Sequence, residues 1–198
     1  MKLIFCILLI KISSIIVYSL KLTCDFKKSS LGKYQLHYKC IATDFDVQSS
    51  SQELNEILGT HKEDKTNADI DTLIIKDKIV KYLPKNMQQF LPNVIHLDLN
   101  NTGLKIINRN DMEMFPKLKH LYIRHNHIEE LPYGLFDNNK QLQFINLNDN
   151  KIKQISPNIF DALSRLVSLN IERNICIDSF AMGDDEILKL KQQIQIQC

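Results

Sequence analysis

The 198-residue sequence lacks the local patterns that announce catalysis or nucleotide binding. It holds no G-x-S-x-G elbow, no H-E-x-x-H, no phosphate loop and no G-x-G-x-x-G, and its five glycines are scattered singly. Without these there is no activated nucleophile, no motif-borne zinc and no cradle for phosphates, so an enzyme is not expected. Charge of one sign is lacking too, since 25 Lys and Arg stand against 23 Asp and Glu and no basic run occurs. That excludes the concentrated cationic surface that nucleic acid or an anionic membrane would need. Of the five cysteines, Cys6 lies in an apolar N-terminal stretch and the other four fall as two pairs near the chain ends, Cys24 with Cys40 and Cys176 with Cys198. An even count in a secreted chain reads as disulfides, which leaves no free thiol for chemistry.

The N-terminal stretch carries Lys2, an apolar run and small residues before Ser19, the pattern of a signal peptide over residues 1–19. Lys11 interrupts the run and leaves an uncleaved anchor as the alternative. Either way the rest of the chain is expected outside the cytosol, secreted after cleavage. Removing residues 1–19 removes Lys2 and Lys11 and leaves 23 basic against 23 acidic residues, a formally neutral chain.

What the sequence does have is a period. The segment LKHLYIRHNHI over 118–128 fits L-x-x-L-x-L-x-x-N-x-L, and the pattern returns every 24 residues: VIHLDLNNTGL from Val94, LQFINLNDNKI from Leu142, LVSLNIERNIC from Leu166 and a degraded IDTLIIKDKIV from Ile70. A fixed period of this length with apolar residues at positions 1, 4, 6 and 11 predicts a solenoid whose units bury their apolar faces only against one another. Leu83, Ile107, Leu131 and Ile155 continue the core, and Phe115, Phe136, Phe160 and Leu163 are expected to fill the convex side. All five prolines fall after the predicted strands, where they harm no β ladder. Position 9 reads Lys78, Thr102, Asn126, Asn150 and Asn174. An amide there can satisfy the backbone of adjacent turns, so the asparagines with Thr102 are read as a structural ladder.

The expected organisation is an N-terminal cap over 20–69, repeats over 70–175 and a C-terminal cap helix over 176–198. In the first cap a β-hairpin, with strands from Leu22 to Phe26 and from Tyr34 to Ala42, is tied by Cys24 and Cys40 and covers the open sheet edge. Between 44 and 69 a short helix started by Ser50 or Ser51 and ended at Gly59 competes with an irregular strand. In the last cap Asp184 is placed to start a helix with Ile187, Leu190 and Ile194 on one stripe, pinned by Cys176 and Cys198.

These rungs, with Phe136 and Phe160 after them, resemble the extracellular 24-residue class of leucine-rich repeat proteins. The resemblance implies an α/β-type repeat solenoid, a horseshoe arc with a parallel sheet on the concave face and loops and short 3-10 turns on the convex face. It also implies binding of a protein or other ligand rather than catalysis. The two-cysteine caps and the GTHKEDKTNADI segment resemble small secreted leucine-rich repeat proteins of dipteran insects, some of them immune factors.

The strand residues between core positions should line the concave face in columns about 4.8 Å apart. Position 3 runs Thr72, His96, His120, Phe144, Ser168; position 5 runs Ile74, Asp98, Tyr122, Asn146, Asn170. Positions 7 and 8 carry Arg124 and His125 in the middle repeat. Tyr122 and Phe144, displayed where the fold does not need them and beside Arg124, His96, His120 and Asp98, have the composition of an interface centre. The plain alternative is a few exposed aromatics without a role. His96 and His120 could share a metal or sense pH, but the spacing fixes no third ligand, so no metal or other cofactor is expected. The sequon Asn100-Asn101-Thr102 makes Asn100 a glycosylation candidate. The expected function is a secreted recognition module for an extracellular protein or glycan, in insect innate immunity or signalling. A matrix or adhesion component and an enzyme inhibitor stand as alternatives.

Overall fold

A computed structural model describes residues 19–31 and 35–198. Residues 1–18, which hold nearly all of the expected leader, and residues 32–34, which hold Gly32 and Tyr34 of the expected hairpin, lie outside the described residues.

The repeat becomes structure through five three-residue strands: β5 (Thr72–Ile74), β7 (His96–Asp98), β8 (His120–Tyr122), β10 (Phe144–Asn146) and β12 (Ser168–Asn170). Each pairs in parallel with the next, with Thr72, His96, His120, Phe144 and Ser168 in one register. Strands of this length hold because the residues on either side of position 5 point inward. Leu97, Leu99, Leu121, Ile123, Leu147, Leu169 and Ile171 are all fully buried. Each such side chain contributes roughly 1.5–3 kcal/mol when removed from water. No repeat could collect that alone, because the surface that buries one rung is the rung beside it.

Two caps finish the sheet. At the N-terminal end β1 (Leu20–Leu31) and β2 (Gln35–Asp44) form an antiparallel hairpin in which Phe26 opposes Cys40. β2 lies parallel against β5, and β4 (Leu54–Leu58) adds a further parallel strand outside β1. Within the segment 44–69, residues 54–58 therefore form a strand and not the alternative helix: their backbone pairs with β1 and Leu54 is buried. A disulfide joins Cys24 to Cys40 with Cα atoms 5.1 Å apart. His61 locks the following loop down, stacking on Phe26 at 4.1 Å and bonding the Tyr38 hydroxyl at 2.9 Å.

At the other end the chain departs from a plain cap helix. A short strand, β13 (Phe180–Met182), runs antiparallel to β12 before α3 (Asp184–Gln197) begins. Gly183, at φ 87°, is the residue preceding the helix, so Asp184 sits in the first turn rather than at the cap. That left-handed angle suits glycine and explains why the strand can turn directly into the helix. Ile187, Leu190 and Ile194 are buried, and Cys176 is bonded to Cys198.

Outside the main sheet the chain is held by two small parallel ladders. One joins β3 (Asp46–Val47) to β6 (Ile79–Val80), and the other joins β9 (Glu130–Leu131) to β11 (Gln154–Ile155). The convex segments form single turns, helical in α1 (Met87–Phe90) and α2 (Arg109–Glu113), which are α where short 3-10 turns were expected. Phe115, Phe136, Phe160 and Leu163 are buried beneath them.

Candidate functional site: the concave face

The face is set by two structural devices at the end of each strand. The residue at position 8 takes a left-handed conformation in every repeat: Asp77, Asn101, His125, Asp149 and Arg173 all have φ between 54° and 59°. Asn, Asp and His tolerate this region better than most residues, which is why they recur there. The chain thus leaves the face at position 8, and these side chains form a rim ladder of polar pairs. His125 lies 3.1 Å from Asp149, whose carboxylate also accepts from Arg173 at 3.0 Å, and Asn101 donates to Asp77 at 2.7 Å.

Position 9 then turns inward. The Asn126 carbonyl oxygen accepts from the backbone N–H of Leu104 at 2.9 Å and of Thr102 at 3.1 Å, and its amide donates to the carbonyls of Leu99 at 2.7 Å and Arg124 at 2.9 Å. Asn150 bonds Ile128, Ile123 and Leu147 in the same way, and Asn174 bonds Ile152, Leu147 and Ile171. Thr102 donates its hydroxyl to Asn126. It is also the third residue of the sequon and is 2% exposed, so any glycan on Asn100 has to be added before this bond closes.

Between these fixtures the outward-facing residues divide sharply. At position 5, Asp98, Asn146 and Asn170 each accept a hydrogen bond from the backbone N–H two residues ahead, at 3.2, 3.1 and 3.0 Å. Asp98 also pairs with Lys76 at 2.8 Å and is buried, so both of its oxygens are occupied. Tyr122 occupies the same position and has no such local bond to make. At position 3 the rings of His96, His120 and Phe144 form a column, with centroids 5.3 and 4.8 Å apart and planes within 12° and 8° of parallel. Tyr122 leans toward it, 5.1 Å from His96. All four rings are half-buried.

The surroundings of the column favour neutral imidazoles. Burial and the neighbouring His120 hold His96 down to about 4, against the pull of Asp98 in the other direction. Burial, then His37 and Lys119, lower His120 as well. Burial and the charge of Asp98 raise Tyr122, while Arg124 opposes them. His37, two residues before Lys39 on β2, is buried and lies 3.0 Å from Asp71, while the column itself continues from His96 through Thr72 to Lys39. Sequence reasoning did not place His37 here because the register between the hairpin and the first repeat is not periodic. Among the described residues, no group of three or more His, Cys, Asp or Glu side chains is placed to hold a metal ion.

The face is shallow. Two clefts, of 570 and 660 Å3, lie on the flank that the chain crosses after each strand, where both include Ile106 and Asn108. A flat array of rings and amides suits a large partner, whereas a small ligand needs enclosure.

A parallel-strand solenoid with buried aliphatic rungs and an asparagine ladder defines the class to which this chain belongs. The leucine rich repeat family matches residues 70–128 and 116–175, together more than half of the chain, and the protein belongs to that family. Its members are in general binding scaffolds. Similar solved structures include the TLR13–ssRNA13 complex, at 25% identity and a TM-score of 0.51 over 61% of this chain. The Toll–Spatzle complex of Drosophila is 20% identical with a TM-score of 0.50 over 61% of this chain. A leucine-rich repeat protein of Leptospira interrogans is 21% identical with a TM-score of 0.50 over 62%. The chain spans only 18%, 17% and 35% of the lengths of those three. No curated protein matches it.

Proposed function

We propose that this protein is a secreted, non-catalytic recognition module that holds an extracellular macromolecule on its concave face. One observation carries the reading: Tyr122 and the ring column of His96, His120 and Phe144 are half-buried on a face where Asp98, Asn146 and Asn170 bond the backbone and the rings make no such bond. Apolar rings held at fixed spacing have lost their side-chain entropy in advance, which is what an interface centre needs. Secretion is supported by the two disulfides and by the start of β1 at Leu20, directly after the expected cleavage position. Among the described residues no helix is long and apolar enough to cross a membrane. A role in defence or signalling draws on the resemblance of the caps to small secreted insect proteins and on neighbours that include a Toll–Spatzle complex.

The test is capture from extracellular fluid by residues 20–198, beside a Tyr122→Ala, Phe144→Ala double variant. Loss of a stoichiometric partner only in the variant supports the concave site. Equal retention moves the site to a cap or to the convex side. Bulk, repetitive deposition without a stoichiometric partner favours a matrix component, and a captured hydrolase favours an inhibitor.

A further inference from the structure

We infer that the concave partner presents an acidic peptide segment, and that Arg124 is the residue that holds its carboxylate. This rests on the concave-face reading above and names the chemistry of what binds there. Strand alternation fixes the direction of the side chain: Leu121 and Ile123 are fully buried, so His120, Tyr122 and Arg124 project to the concave side. The ionic inventory of the face is then uneven. Lys76 is paired with Asp98, His37 with Asp71, and Arg173 and His125 with Asp149 at the rim. Among the described residues Arg124 forms no ion pair, and its Nε lies out of reach of solvent without a hydrogen-bond partner. The same holds for the amide oxygens of Asn100 and Asn148, which are its neighbours in the position 7 column one rung to either side.

An Nε–H kept dry and unpaired is costly, because it has given up water and received nothing in return, while the rest of the half-buried guanidinium stays open to a partner. A planar fork of donors finds its best partner in a carboxylate, which can accept two parallel bonds. Lys39 and Lys119, near the start of the strands, also lack an acidic partner among the described residues; the opposing charge in the position 7 column is Glu172, two rungs from Arg124 and held by the Asn170 amide at 2.9 Å. Tyr122, two residues before Arg124 on the same face, and the ring column beyond it, where Phe144 is in register with His120, offer an apolar platform to the residues that flank the acid. A polyphosphate backbone fits less well, since it needs a line of cations and this face offers one at its centre.

The probe is a random dodecapeptide library displayed on phage and selected against residues 20–198 carrying their disulfides. The expected winners place Asp or Glu beside an aromatic or branched aliphatic residue. Synthetic winners should bind Arg124→Gln about tenfold to a hundredfold more weakly, the loss typical of a charge-assisted hydrogen bond, with partial recovery in Arg124→Lys. A second variant covers the case in which Arg124→Gln fails to fold. Asn148→Asp leaves the guanidinium in place but supplies it with an internal carboxylate, and it should weaken the same peptides. Winners without an acid, indifferent to both variants but lost in Tyr122→Ala, Phe144→Ala, overturn this inference and leave the concave site standing. Winners indifferent to all of the variants, or no winners, overturn both. Tighter binding of a single-stranded RNA oligomer than of any peptide, lost in Arg124→Gln, overturns the acidic peptide in favour of a polyanion.

Discussion

Replacing Asn126 by Ala should be among the most damaging single substitutions in the protein. The side chain links two turns through four backbone groups, and its removal does not affect them equally. The Arg124 carbonyl keeps its bond from the Asn101 N–H at 3.0 Å, and the Leu99 carbonyl can take the Thr102 hydroxyl, already 3.4 Å away. The N–H groups of Thr102 and Leu104 have no substitute, and both residues are buried. At about 1–3 kcal/mol for each stranded donor, the expected loss is about 4 kcal/mol. That is a large fraction of the 5–15 kcal/mol or so that holds a typical domain together. Urea unfolding at pH 7, followed by far-ultraviolet circular dichroism and by tyrosine fluorescence because the chain has no tryptophan, measures it. Asn174→Ala is the control. It frees one buried N–H, that of Ile152, where Asn126→Ala frees two, so about 2 kcal/mol is expected. Equal losses in the two variants, or a loss below about 1 kcal/mol for Asn126→Ala, would show that the ladder is not a satisfaction device.

Replacing Cys176 and Cys198 by Ser should cost about 3 kcal/mol from the 21 intervening residues alone, and should free α3 first, seen as earlier hydrogen exchange at Ile187 and Leu190. Gly59→Ala should destabilise far more than Gly103→Ala, although both have positive φ: a Cβ at Gly59 would lie 2.3 Å from the Cys24 carbonyl oxygen, whereas at Gly103 it meets nothing within 4 Å, and paired thermal melts compare them. The pH response has two opposed parts. Burial lifts Asp111 from 3.8 to about 6, so the stability it confers is fully present below about 4 and is lost as pH rises through 6; Asp111→Asn should therefore stabilise the protein at pH 7 and change little at pH 3.5. Burial lowers His96 from 6.5 to about 4, so its contribution is full above 6.5 and is lost as pH falls toward 4, a slope that His96→Asn should remove from urea midpoints measured between those values.

The repeats were legible because a solenoid writes its core into the sequence at a fixed interval, and the same apolar positions recur from Ile70 to Leu166. The caps were legible only in outline. β13 is three residues long and carries exposed Phe180 and Met182, so it shows none of the alternation that betrays a half-buried strand. β4 hides for another reason: it pairs with β1 at a sequence distance that no period connects. The left-handed turn at position 8 did leave a signal, since Asp, Asn, His and Asp stand there in succession, but two of those residue types also suit a binding surface. Asn139 left none. Fully buried where neighbouring repeats place Phe115 and Leu163, it donates to the carbonyls of Met112 and Phe115, a job visible only once those turns are next to one another.

A repeat protein supplies its own standard for separating structure from function. What the scaffold needs at a given position, it needs again 24 residues later, so a residue that breaks its column is released from that need. By this measure Asp98, once the most chemically suggestive neighbour of the two histidines, belongs to the scaffold, because Asn146 and Asn170 make its backbone bond in their own turns. Tyr122 interrupts that series in the middle repeat and gives up the bond. Arg124 interrupts the amides of Asn100 and Asn148 in the same repeat and gains no partner. Both departures fall in the middle repeat, Tyr122 giving up a bond that Asp98, Asn146 and Asn170 make and Arg124 placing a charge between two amides, and the proposed concave site rests on them.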